Sequence, residues 1–153
     1  DGRSAFMERG TSMEPEARAW YAFDTDRDVR QVGLCVRDDG KCGASPDSLV
    51  DSDGLLEVKC CGAETHMGYV LIGIDAEYRV QVQGQLWVTE RKWADLLAFH
   101  PSLPKVLVRI ERDEKFIEAM AAAVGAFVSR LEEARARLDS VREPVTADES
   151  HPF

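Results

Sequence analysis

Long apolar runs are missing from this chain of 153 residues. A helix needs roughly 20 consecutive apolar residues to span a bilayer, and no stretch approaches that, so a membrane-crossing helix is excluded. Cysteine is scarce: Cys35, Cys42, Cys60 and Cys61, with no Cys-x-x-Cys pair among them. That spacing suits neither a zinc nor an iron–sulfur site. Hydrophobic residues make up 44% of the chain, enough core for one compact domain without disulfide staples. Reduced cysteines in a cytosolic protein follow from this. The opening Asp1-Gly2-Arg3-Ser4 has no basic-then-apolar signal pattern, and repeats and low-complexity tracts are absent. Positive charge is in deficit as well, with 19 Lys and Arg against 28 Asp and Glu and a net charge of −9. A broad basic surface for nucleic acid is therefore not expected. A single cleft of carboxylates is still compatible with phosphate chemistry, because bound divalent cations invert the local charge.

Periodicity gives the order of elements. Pro15 to Asp24 reads as a helix with Pro15 in its first turn and Thr11 or Ser12 as cap; the alternative is an earlier start with a kink at Pro15. Gln31 to Arg37 alternates around Val32, Leu34 and Val36, and Asp38-Asp39-Gly40 signals a turn into a second strand running through Cys42 to Val50. A further turn at Asp51-Ser52-Asp53-Gly54 leads to a strand from Leu55 to Cys60. Asp75 to Thr89 reads as a helix with Asp75 as its cap. Trp93 to Phe99 and Val106 to Ile110, separated by Pro101 and Pro104, form an antiparallel pair. From Asp113 onward Phe116, Ile117, Met120, Val124, Phe127, Val128, Leu131 and Leu138 recur at helical spacing. The sequence thus predicts an α/β fold, a mixed sheet flanked by helices, with a polar tail over residues 144–153.

The chemistry is concentrated in Ser45-Pro46-Asp47 and Leu56-Glu57-Val58-Lys59. Residues two apart in a strand share a face, so Glu57 and Lys59 point one way while Leu56, Val58 and Cys60 point to the core. A three-residue loop at 52–54 with Gly54 at positive φ would pair Asp51 with Leu55 and Asp47 with Lys59, bringing Asp47 onto the same face. Two carboxylates can hold a hard cation through oxygen, and a lysine beside them can orient water or offset charge on a phosphate. The bland alternative is a strand start at Asp47 and a solvated stripe of Glu57 and Lys59. Glu14 has a bland reading too, as an i,i+4 partner of Arg18, and Gln81 and Gln85 as a solvated helix face. Tyr78, Trp87 and Trp93 read as core or sheet-covering aromatics. His66 and His100 are isolated and are not taken as ligands.

The segments SPD-SLVDSDG-LLEVKC, YRVQVQGQLWVT, VLVRIERDEKF and, upstream, RGTSMEPEAR occur in one order over residues 9–140. Together they resemble the phage-lambda-type exonucleases, within the YqaJ-like viral recombinase family of the Pro-Asp/(Asp or Glu)-x-Lys nuclease superfamily. The resemblance implies a restriction-endonuclease-like core over residues 9–141. It implies Asp47 and Glu57 as metal-binding carboxylates, the Val58 carbonyl and Glu14 as further metal ligands, Lys59 as the catalytic lysine, and Gln81 facing the site. Glu14 and Gln81 count with Asp47, Glu57 and Lys59 as its catalytic residues. It further implies Mg²⁺ (with Mn²⁺ substituting) and 5′→3′ degradation of double-stranded DNA ends to mononucleotides, leaving 3′ single strands for recombination. A homotrimeric ring, a single-strand-annealing partner and the cytoplasm of a bacterial or phage-infected cell belong to the same picture. A restriction- or repair-type endonuclease and an inactive DNA-binding module are the alternatives on this scaffold. The family's pocket for the 5′-phosphate lies ahead of the Glu14 helix, and too little sequence precedes Arg9 to build it; either a segment upstream of Asp1 is missing from this chain, or this member grips the DNA end differently.

Overall fold

The structure is a computed structural model and describes residues 5–74 and 77–142. The expected helix cap at Asp75 and the expected polar tail at 144–153 lie outside the described residues. The chain divides into two compact units, residues 1–117 and 118–153.

The first unit opens with α1 (Ala5–Thr25), which begins a full ten residues before Pro15 and carries that proline inside it. The earlier start is therefore the one observed, and Ser12 is a helical residue instead of a cap. Four short strands follow: β1 (Val29–Arg30), β2 (Cys35–Val36), β3 (Gly43–Ala44) and β4 (Ser48–Val50). The two long strands expected between Gln31 and Val50 are thus broken up. β2 and β3 form a separate two-stranded hairpin, turned at Gly40 with φ +68°. Pro46 stands between β3 and β4, where its missing N–H would interrupt a ladder.

β5 (Gly54–Lys59) is the central strand of a five-stranded sheet in the order β1-β4-β5-β6-β7, completed by β6 (Trp93–Ala98) and β7 (Val106–Glu111). β6 runs parallel to β5 and antiparallel to β7, the latter as expected. A parallel neighbour requires a crossover. It is supplied by α2 (Ala63–Ile72), which periodicity did not pick out, and α3 (Glu77–Thr89), which it did. On one face of the sheet Leu56, Val58, Leu97 and Phe99 pack with Ala17 and Tyr21 of α1. On the other, Leu55 and Ala94 pack with Val82 and Leu86 of α3. The described residues end with α4 (Glu114–Arg142), which starts where expected: Asp113 Oδ1 accepts the Phe116 N–H at 3.0 Å and caps it. In the second unit, Phe127, Leu131 and Leu138 of the apolar stripe are exposed.

Candidate active site

Alternation along β5 fixes the site. Leu56 and Val58 face α1, so Leu55, Glu57 and Lys59 face α3. Glu57 is buried, with only 4% of its surface exposed, and a charge at that depth must be satisfied. Three donors do so. Lys59 Nζ lies 2.7 Å from Glu57 Oε1, Gln81 Nε2 donates to the same oxygen at 2.7 Å, and Gln85 Nε2 donates to Oε2 at 2.7 Å. Gln81 and Gln85 are one helical turn apart, so both reach β5 from one side of α3. Lys59 Nζ also donates to Gln81 Oε1 at 3.1 Å and stands 4.6 Å above the Tyr78 ring, whose hydroxyl meets that of Tyr69. An ammonium has three donors. Two are used here, which leaves one for whatever enters the site.

Asp47 sits in the bend just before β4. Its Oδ2 accepts the Val58 N–H at 2.6 Å, standing in for the backbone partner that the short β4 does not supply. The observed register pairs Val50 with Gly54, Leu49 with Leu55 and Ser48 with Leu56. Continued by one residue, it sets Asp47 opposite Glu57, where the sequence reading had set it opposite Lys59. The loop has three residues as expected, but they are 51–53 instead of 52–54. Asp51 holds the positive φ, at +46°, and Gly54 does not. The shift changes the pairing by two residues, an even step, so the shared face survives it. The cause is local. The Asp51 carboxylate accepts the Asp28 N–H and the Arg27 guanidinium, and Arg91 Nη1 donates to the carbonyls of Val50, Asp51 and Gly54.

Burial, then the charge of Glu57, pushes the Asp47 carboxyl up to about 6; the Val58 N–H pulls the other way, and Glu14 adds to the rise. Glu14 is thus within electrostatic reach, although its own ion pair is with Arg18 at 3.6 Å. Among the described residues no three His, Cys, Asp or Glu side chains stand close enough together to hold a metal ion. Glu14 is accordingly not gathered with Asp47 and Glu57 into a three-carboxylate cluster. A divalent cation nonetheless fits the donor set. Two partly or fully buried carboxylates share one face, the charge of Glu57 raises the cost of charging Asp47, and hard oxygen donors suit such an ion.

Other residues fall outside this cluster. His66 Nε2 donates to the Pro104 carbonyl at 2.7 Å, and His100 Nδ1 accepts the Ser102 N–H, so both serve loop structure. Trp93 is buried and flanked by Arg27 and Arg109; Trp87 carries Arg37 on its ring. Gln85 and Tyr78 are the site neighbours that sequence reasoning did not assign. Their i, i+3 and i+7 spacing with Gln81 is the signal that could have found them.

The family model for the YqaJ-like viral recombinase domain matches residues 2–92, more than half of the chain. The chain belongs to the YqaJ-like viral recombinase family. Solved structures agree. An alkaline exonuclease, LHK-Exo from Laribacter hongkongensis, is 37% identical over 92% of this chain and 75% of its own, with a TM-score of 0.84. The same enzyme in complex with dAMP matches equally well. A phage-related exonuclease from Haemophilus somnus 129PT, 15% identical over 90% of this chain and 76% of its own, shares the fold with a TM-score of 0.67. A search of curated protein sequences gives no significant match. Membership of this recombinase family makes the chain a nuclease of the exonuclease type. Among its described residues no helix is long and apolar enough to cross a membrane.

Proposed function

We propose that the chain is a Mg²⁺-dependent exonuclease that degrades double-stranded DNA from its ends in the 5′→3′ direction. The observation that carries this reading is the convergence of Asp47, Glu57 and Lys59 on one face of the sheet, with Gln81 reaching over them from α3. Asp47, Glu57 and the Val58 carbonyl would hold the cation, and Glu14 would add negative charge from α1. When bound, the cation polarises the scissile phosphate and lowers the pKa of a coordinated water, and Mn²⁺ can substitute for Mg²⁺. Lys59 has one N–H left to direct at a phosphate oxygen or at the attacking water, and its charge offsets what develops on the phosphate. Water adds to phosphorus, the bond from phosphorus to the 3′ oxygen breaks, and a 5′-mononucleotide leaves. The bound dAMP of the relative is a molecule of that product class.

The duplex strand left behind would be a 3′ single strand suited to recombination. A ring-shaped homotrimer, an annealing partner and a cytoplasmic location are carried by family resemblance and complete the proposal. The test uses linear duplex labelled at either end, beside a covalently closed circle, with Mg²⁺ or with chelator. Early release of the 5′ label, an intact circle and no reaction in chelator are expected. Cutting of the circle would favour an endonuclease, and early loss of the 3′ label would reverse the polarity.

A further inference from the structure

Gln85 sits where an apolar side chain would be the simpler choice. It lies on α3 next to Leu86 of the core and is only 4% exposed. Its Nε2 donates to Glu57 Oε2 at 2.7 Å, while its Oε1 is buried with no hydrogen-bond partner. Turning the amide over would set its oxygen against a carboxylate oxygen, so the orientation is dictated by Glu57. An unpaired buried acceptor costs stability, and the fold accepts that cost to keep a donor on Glu57. Gln81 and Lys59 hold Oε1 of the same carboxylate, at 2.7 Å each. A carboxylate offers about four lone-pair directions, and three are thereby taken. The one that remains is on Oε2, the oxygen that Gln85 grips.

We propose that Gln85 is a positioning residue for the divalent cation, fixing the Glu57 carboxylate so that Oε2 presents its free lone pair to the metal. This rests on the metal-dependent reading above. Ligating carboxylates are commonly oriented by hydrogen bonds, and losing such an outer partner weakens metal binding by roughly 10- to 100-fold. Gln85→Met keeps the length of the side chain and removes both the donor and the orphaned acceptor.

The experiment is a calorimetric titration of wild-type protein and Gln85→Met with Mn²⁺, with thermal melts of the same metal-free samples. The dissociation constant for Mn²⁺ is expected to rise about tenfold or more, while the melting temperature changes little, because the loss of a donor to Glu57 and the removal of the unpaired acceptor act in opposite directions. An unchanged dissociation constant overturns the proposal. So does a weakened affinity accompanied by a comparable fall in melting temperature, which would make Gln85 a structural staple between α3 and β5. If Gln85→Met does not fold, Gln85→Leu takes its place; failure of both to fold likewise assigns the amide to stability and overturns the proposal. Wild-type protein that takes up no Mn²⁺ removes the metal-dependent reading itself, whereas wild-type binding with an unaffected variant removes only the role of Gln85.

Discussion

Asp47 is the residue on which the electrostatics of the site turn. Burial and the neighbouring Glu57 hold its carboxyl at about 6, above the ordinary aspartate value near 4. A carboxyl whose pKa is raised on folding favours the native state while it stays protonated. That contribution is fully present below about pH 4 and is lost as pH rises towards 6. Metal-free protein is therefore expected to lose stability across that window through this group. A divalent cation that binds the charged carboxylate should restore it, and only above the window. Melting temperatures with and without Mg²⁺ should separate clearly at pH 7.5 and much less at pH 4.5. Equal stabilisation at both pH values would mean that Mg²⁺ does not act through Asp47. Lys59 is tied to Glu57, Gln81 and the Tyr78 ring. The place beside Glu57 follows from the i, i+2 spacing along β5, but the ties to Gln81 and Tyr78 could not be read in advance, because they depend on how far α3 stands from β5.

The turn between β4 and β5 positions the candidate face, and Gly54, the first residue of β5, is the tightest point beside it. A Cβ at Gly54 would overlap the ring of Trp93. The glycine is needed for close approach of an aromatic side chain from β6, and not for a left-handed backbone. Gly54→Ala should therefore cost about 1–3 kcal/mol through overpacking. A urea melt would show it as a lowered midpoint; an unchanged midpoint would mean that Trp93 moves aside freely. Elements with strong periodicity were legible in the sequence: α3, the β6–β7 pair and the Asp113-capped α4. The face shared by Asp47, Glu57 and Lys59 was legible too, because it depends only on the parity of the register. The register itself was not, since it is set by Arg27, Asp28 and Arg91, all distant in sequence from the loop they hold. α2 was missed because Leu71 and Ile72 are exposed and only His66 of that helix is buried, so no apolar stripe marks it. The short strands before β4 were overread because alternation at Val32, Leu34 and Val36 does not reflect burial: Leu34 and Val36 are both exposed.

Over the whole molecule the net charge of −9 opposes a polyanionic substrate. On the proposed reading, an enzyme of this balance would meet DNA through a small number of cations and a bound metal. That places the burden of catalysis on the face built by β5, α3 and the bend before β4, and makes Asp47 the sharpest place to test it. Asp47→Ala removes one of two carboxylates while leaving the sheet register to Ser48 and the residues beyond it. The deciding measurement is the rate of nucleotide release from linear duplex DNA with Mg²⁺, for wild type and Asp47→Ala with matching melts. Metal-assisted hydrolysis at this site implies a fall of roughly 10³-fold or more in a folded variant. A folded Asp47→Ala protein with a near-normal Mg²⁺-dependent rate would contradict it.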